Sequence, residues 1–357
     1  MNDTNFIAES TEEKKDFVLP PLPDDVMVKI FSNLSLGDLL KVKECCKRFS
    51  HLIEKFYYKM KREKAFRVII GYDKPFVRSY FSFSMYVVRS GSVGCSLHGY
   101  SKRSIDEDSE LIRAIRMFKT DYICLFDIYG SDNSKIYQIL SDCLKAGSGI
   151  GTITIDNFGK KALKTFYLFM NKLGYVKELK FKNVSLRDDK IDNPYNIMGL
   201  GNLKSLKKFA LSESENTRFL NLDFFIQLLD NNPLLKNIDI LTTNRTLIYD
   251  VIIKLAMDQY NHQHQEVEEV PLSHGGACNH ESVRITFGGP RNIYLFAKML
   301  YESVPFLRGT LIGDVSYYSN DTYSGFGIMK KCEVCLKLYR SIDILFIEFK
   351  NYHSVIF

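Results

Sequence analysis

Cys332-Glu333-Val334-Cys335 puts two thiols at the spacing that serves a zinc ion or a redox pair. A structural zinc site needs four ligands, and no second C-x-x-C stands elsewhere in the chain. The remaining donors, His262, His264, His274, Cys278 and His280, are irregularly spaced in a polar stretch. A redox pair requires a helix start that lowers a thiol pKa, whereas Val334, Leu336 and Leu338 favour burial. Gly147-Ser148-Gly149-Ile150-Gly151 has the glycine content of a phosphate cradle. It follows a helix pattern and precedes a strand pattern, the reverse of a dinucleotide loop, so it reads as a helix C-cap and turn. The chain has no Gly-x-Ser-x-Gly, no P-loop and no His-Glu-x-x-His. These patterns predict no catalytic residue, no metal and no cofactor.

Binding chemistry is better represented. Residues 20–53 carry three short apolar faces at helical spacing. Leu22-Pro23 places a proline at a helix start, followed by Asp24 and Asp25 where negative charge suits the helix dipole. Val26, Ile30 and Phe31 fall close to one helical face, and Leu34 closes the segment. Ser35 reads as an N-cap with Asp38 as its capping-box acid. Leu39, Leu40 and Val42 make the second face; Cys46, Phe49, Leu52 and Ile53 make the third. A unit this small needs a neighbouring domain or a partner to cover its apolar surface.

This stretch resembles the F-box. The residues that carry the resemblance are Leu22-Pro23, Val26, Ile30-Phe31, Leu34, Asp38-Leu39-Leu40, Val42, Cys46 and Phe49, without a gap. Phe49 stands where many family members have tryptophan. The resemblance implies binding to the Skp adaptor of a cullin-based ubiquitin ligase. Its implied anchors are Leu22, Pro23, Val26, Ile30, Leu34, Leu39, Leu40 and Val42, with Cys46 and Phe49 closing the packing.

The elements around it set the frame. The 357 residues allow two or three domains, and 45% hydrophobic with 25% charged residues is ordinary for a folded protein. No apolar run approaches the ~18 residues needed to cross a bilayer, and residues 1–16 lack a basic-then-apolar leader. A cytoplasmic or nuclear protein with no membrane partner is therefore expected. In such a compartment the eight cysteines are free thiols serving as small apolar residues. A net charge of +6 over this length does not argue for nucleic acid. Residues 55–67 combine Lys55, Lys59, Lys61, Arg62, Lys64 and Arg67 with Phe56, Tyr57, Tyr58 and Phe66. That run could serve nucleic acid; a solvated helix leading out of the F-box is the preferred reading.

The chain divides into a disordered leader over 1–19, the F-box over 20–64, connecting strands and a loop over 65–108, and an α/β domain over 109–357. Phe81, Phe83, Met85 and Val87 alternate with polar residues as in a half-buried strand, and 91–99 reads as a loop. Helix faces are expected at Leu111/Ile115/Phe118, Ile136/Leu140/Cys143/Leu144, Leu163/Phe166/Met170/Leu173 and Leu222/Phe225/Ile226/Leu229. Between them a strand template, apolar-x-x-apolar-x-apolar, recurs at Ile150/Ile153/Ile155, Val176/Leu179/Phe181, Leu206/Phe209/Leu211 and Leu235/Ile238/Ile240. The central positions are 26, 30 and 29 residues apart. Weaker copies are read at Ile123/Leu125, Val283/Ile285/Phe287 and Tyr339/Ile342/Ile344.

This period predicts an α/β solenoid of irregular leucine-rich-repeat-like units, with an ordinary α/β domain as the alternative. The turn asparagine or cysteine of a regular repeat is missing at Phe158, Val184, Ser214 and Thr243. Residues 257–282 read as a polar loop, and 342–349 as a strand buried on both faces. The combination also resembles the nematode class of F-box proteins with an FTH, or F-box-associated, domain. It is carried by residues 149–155 and 341–349.

Together these observations predict the substrate-recognition subunit of a Skp–cullin–F-box ubiquitin ligase. The alternative is an F-box scaffold that binds the adaptor without promoting degradation. In a curved sheet the intervening strand positions Thr152, Thr154, Glu178, Lys180, Lys208, Asn237 and Asp239, with Ala210, would face an unidentified protein substrate.

Overall fold

Pro23 is extended (φ −56°, ψ 148°) and opens the first helix, α1 (Asp24–Phe31), with Asp24 and Asp25 in its first turn. In this computed structural model the described residues are 22–73, 80–91, 94–130, 134–186, 194–214, 217, 219–264, 282–289, 302, 323–331 and 338–348. The chain forms two units, Met1–Arg62 and Glu63–Phe357.

In the first unit α1 is followed by α2 (Leu36–Cys45), α3 (Lys47–Lys55) and a short 3-10 turn, Tyr57–Lys59. Ser35 caps α2 as its sequence predicts. Its Oγ accepts the Asp38 N–H at 3.2 Å and donates to Asp38 Oδ2 at 2.6 Å. The bundle core is Met27, Val28, Phe31, Leu39, Leu52, Ile53 and Met60, with Leu34, Val42, Phe49 and Phe56 packed against it. Phe49 meets Phe31 edge-on at 5.4 Å between ring centroids. Lys43 joins α2 to α3 through Glu54 at 2.7 Å.

The second unit is built on one mixed sheet of eleven strands among the described residues. Six of them, β4 (Tyr122–Tyr129), β5 (Ser148–Asp156), β6 (Leu173–Val184), β7 (Lys208–Glu213), β8 (Asn237–Leu241) and β9 (Val283–Gly289), lie side by side in chain order, each parallel to the next. Helix α4 (Asp108–Arg116) precedes β4, and helices α5 (Ser134–Cys143), α6 (Leu163–Lys172), α7 (Pro194–Ile197), α8 (Leu222–Asn231) and α9 (Arg245–His264) stand between successive strands. Such parallel pairs require a crossover, and the apolar helix faces supply it. Beyond β4 the sheet continues through β1 (Ala65–Asp73), β2 (Tyr80–Gly91) and β3 (Gly94–Ile105); beyond β9 it ends with β11 (Leu338–Glu348) and β10 (Tyr323–Lys331).

The register aligns the strand templates. Val68, Phe126, Ile153, Leu179, Phe209, Ile238, Ile285 and Ile344 form one row, and Ile70, Ile128, Ile155, Phe181, Leu211, Ile240, Phe287 and Phe346 the next. All sixteen are at most 2% exposed. Phe126 packs on Phe169 of α6, Phe181 on Phe166 of α6, and Phe209 on Phe224 of α8. This face is the core.

Several sequence expectations need correction. Residues 65–108 are not a connector: β1 pairs in parallel with β4, and β2 and β3 extend the same sheet. Residues 94–99, expected in a loop, begin β3, because they continue the pairing with β2. Gly149 and Gly151 lie within β5 and not in a turn. A Cβ on Gly151 would stand 2.5 Å from the Cys124 carbonyl oxygen, so close strand packing explains that glycine. The template on β4 is Ile123/Phe126/Ile128, and on β11 the rows take Ile344 and Phe346, two residues later than expected. The buried face of α8 is Phe224, Phe225 and Leu228, rotated from the expected one. Residues 257–264 continue α9 as helix; 265–281 lie outside the described residues.

The turn positions Phe158 and Val184 are fully buried, filling with apolar volume the place that a regular repeat gives to a turn asparagine. An asparagine stands one residue earlier in each case. Asn157 and Asn183 both have φ 57°, the left-handed region that asparagine tolerates best among side chains with a Cβ.

Candidate functional site

Two surfaces hold the residues singled out in the sequence. The first lies on α1. Val26 and Ile30, four residues apart, lie along one side of the helix, and Leu22 stands just ahead of its first turn. They are 39%, 45% and 47% exposed, in that order. Met27, Val28 and Phe31 occupy the other side and enter the bundle core. The apolar residues of α1 thus split between two faces; Phe31, expected beside Val26 and Ile30, turns inward. Single exposed aliphatic residues are commonplace, but Val26 and Ile30 aligned on α1, with Leu22 just ahead of it, form a ready-made contact strip.

The other implied anchors fall into distinct places. Pro23 is exposed beside Leu22. Leu39 is 2% exposed and belongs to the core. Leu34, Val42 and Phe49 are half-buried against that core, and Leu40 is half-buried on α2. Cys46 is exposed at the junction of α2 and α3. The sequence pattern alone does not separate packing residues from accessible ones, since both are aliphatic at helical spacing.

Residues 55–62 place their cations over their own rings. The Lys55 and Lys59 ammonium groups each lie 5.3 Å from the Phe56 centroid, and the Arg62 guanidinium 5.9 Å from that of Tyr57. Cation and ring therefore satisfy one another locally.

The second surface is the face of the sheet opposite the core rows. The register brings Thr152, Glu178, Lys208 and Asn237 into one row, and Thr154, Lys180, Ala210 and Asp239 into the next. These positions lie on one face of the sheet. Their exposure differs: Asp239 is 3% exposed and Ala210 0%, while Thr152, Thr154, Glu178, Lys180, Lys208 and Asn237 are half-buried. Lys208 Nζ lies 3.1 Å from Asp239 Oδ2. Burial and then the neighbouring Lys208 cation push the Lys180 pKa below the ordinary lysine value, with Glu178 and Asp239 opposing.

The same rows extend onto β1 and β4. Arg67 on β1 aligns with Leu125 and Thr152, and Asp127 on β4 with Thr154. Arg67 donates to Asp127 Oδ2 from Nε at 2.8 Å and from Nη2 at 2.7 Å. Beyond Asp127, Tyr129 is 39% exposed, its pKa raised by burial and then by the Asp127 carboxylate. The signal that could have found them is the template itself: Ala65/Val68/Ile70 and Ile123/Phe126/Ile128 both fit it.

Among the described residues no three His, Cys, Asp or Glu side chains gather as metal ligands, and no helix is long and apolar enough to cross a membrane. Cys332, Cys335, His274, Cys278 and His280 lie outside the described residues. Burial pushes the Cys143 thiol up to about 11, which keeps it protonated and unreactive. No curated protein and no solved structure matches the chain. Residues 19–61 match the family model of the F-box domain, the segment that carries the exposed strip of α1, and that match supports an F-box protein.

Proposed function

We propose that this chain is the substrate-recognition subunit of a Skp–cullin–F-box ubiquitin ligase, acting in the cytoplasm or nucleus. One observation carries the reading: within the segment that matches the F-box domain, α1 keeps Val26 and Ile30 in solvent, with Leu22 exposed just ahead of it, while its other side builds the core. The strip, with Pro23 beside it, is the adaptor-binding surface, and the adaptor brings the cullin. Leu40, Val42 and Cys46 stand as further contacts.

The polar face of the sheet is the target-protein surface. The β4–β9 units act as irregular leucine-rich-repeat-like modules, and their outward positions Thr152, Thr154, Glu178, Lys180, Lys208 and Asn237, joined by Arg67, contact the target, while the buried Asp239 and Asp127 hold Lys208 and Arg67 in place. Cations and carboxylates alternate there, which suits a protein ligand better than a polyanion. The chain supplies no catalytic group. It raises the local concentration of a target lysine beside a charged conjugating enzyme, and the rate gain is one of proximity.

Capture of a Skp adaptor by the full chain tests this reading. The wild type is expected to retain adaptor, and the Leu22→Ala/Pro23→Ala double variant to lose most of it, at about 1–3 kcal/mol per anchor. A wild-type chain that retains none rules the proposal out. Accumulation of a bound target after depletion of the protein separates a ligase subunit from a scaffold.

A further inference from the structure

The exposed strip begins outside the helix that carries it. The backbone ladder of α1 opens with Met27 N–H donating to the Pro23 carbonyl at 3.1 Å, so Leu22 stands one residue beyond it. What ties Leu22 down comes from another helix. Arg48 Nη2 on α3 donates to the Leu22 carbonyl oxygen at 2.6 Å and to Asp24 Oδ1 at 2.7 Å. One guanidinium thus holds the backbone on one side of Pro23 and the first turn of α1 on the other.

The position of that cation is unfavourable by local rules. Arg48 lies in the first turn of α3, which has no acidic residue, at the positive end of the helix dipole. Its side chain is 43% exposed and that of Asp24 61%, and an ion pair so open to water adds little to folding. A residue that breaks a local preference for little gain in stability is a candidate for function. The group it immobilises is the backbone of Leu22, whose apolar side chain is itself 47% exposed.

We infer that Arg48 is a positioning residue of the adaptor interface, fixing Leu22 in its binding geometry before the partner arrives. The inference rests on the adaptor reading above. It assigns Arg48 no contact of its own with the adaptor. Its effect passes through Leu22, by removing the conformational freedom that binding would otherwise have to remove.

A double-variant cycle on the full chain over immobilised Skp adaptor tests it, with dissociation rate as the readout. Arg48→Ala is expected to speed dissociation about tenfold in the wild-type background. In a Leu22→Ala background the same change is expected to add less than about twofold, because the side chain that Arg48 positions is gone. Asp24→Asn, which leaves the Leu22 carbonyl bond in place, is expected to have a smaller effect than Arg48→Ala. Thermal melting of each variant checks folding. If Arg48→Ala unfolds the first unit, Arg48→Met replaces it in the cycle, since it keeps the long apolar stem but has no donor for the Leu22 carbonyl oxygen. Equal factors in the two backgrounds, or no effect in the wild-type background, overturn the positioning role while leaving adaptor binding intact. Absence of adaptor capture by the wild type overturns both.

Discussion

Leu39 and Ile30 are both aliphatic and both sit on helices of one small bundle, yet they are 2% and 45% exposed. That difference assigns them different work. Leu39→Ala removes volume from the packed cluster of Met27, Phe31, Leu52 and Ile53 and leaves a cavity. It is expected to destabilise the first unit by about 2–5 kcal/mol, read as a lowered unfolding transition. Ile30→Ala removes surface already in water, so folding is expected to change by no more than about 0.5 kcal/mol. Adaptor capture by the same variant is expected to weaken by about 1–3 kcal/mol. An Ile30→Ala chain that binds as tightly as wild type would remove the α1 strip from the interface.

At the scale of elements, Glu213 ends β7 and fastens the segment that leads into α8. Its Oε1 accepts the N–H groups of Phe219 and Leu220, each at 2.9 Å, and its Oε2 accepts the Thr242 hydroxyl just beyond β8 at 2.5 Å. Burial raises the carboxyl pKa, and the three hydrogen bonds only partly offset it. The folded pKa therefore lies above the unfolded one. Such a group favours the folded state most below its unfolded pKa, and that contribution fades as pH rises through the folded pKa. In Glu213→Gln the amide oxygen can still accept both N–H groups, and the amide nitrogen can donate to Thr242. Its stability is expected to lose this pH slope, seen by denaturant unfolding between about pH 4 and about pH 8. Glu213→Leu orphans both N–H groups and is expected to cost roughly 1–3 kcal/mol for each.

For the whole molecule, the polar side proposed to meet the target spans six adjacent strands, from Arg67 on β1 through β4, β5, β6 and β7 to Asp239 on β8. Charge on that side is arranged in neighbouring pairs, Arg67 with Asp127 and Lys208 with Asp239, around Glu178 and Lys180. Lys180→Glu places another carboxylate between Glu178 and Asp239 and reverses the local field. Adaptor capture is expected to be unchanged, while proteins enriched by proximity labelling under proteasome inhibition are expected to be lost. An identical enriched set from the variant would argue that the target binds elsewhere.

Local patterns carried much of this architecture. Proline at the start of α1, the Ser35 cap and the spacing of Phe81, Phe83, Met85 and Val87 are short-range features, and short-range chemistry is what sequence records directly. The strand template recorded register as well, since its central positions align across the sheet from Ile153 to Ile238. What only the tertiary structure decided is which side of each element faces water. Val26, Ile30 and Phe31 look alike along the chain, and packing on α2 and α3 sends Phe31 inward and leaves the other two outside. Pairing between distant strands likewise joined residues 65–105 to a sheet whose next strand begins at Tyr122. Arg48 meets Leu22 across 26 residues for the same reason: a hydrogen bond between helices depends on where the core has placed them, and no spacing rule in the chain encodes it.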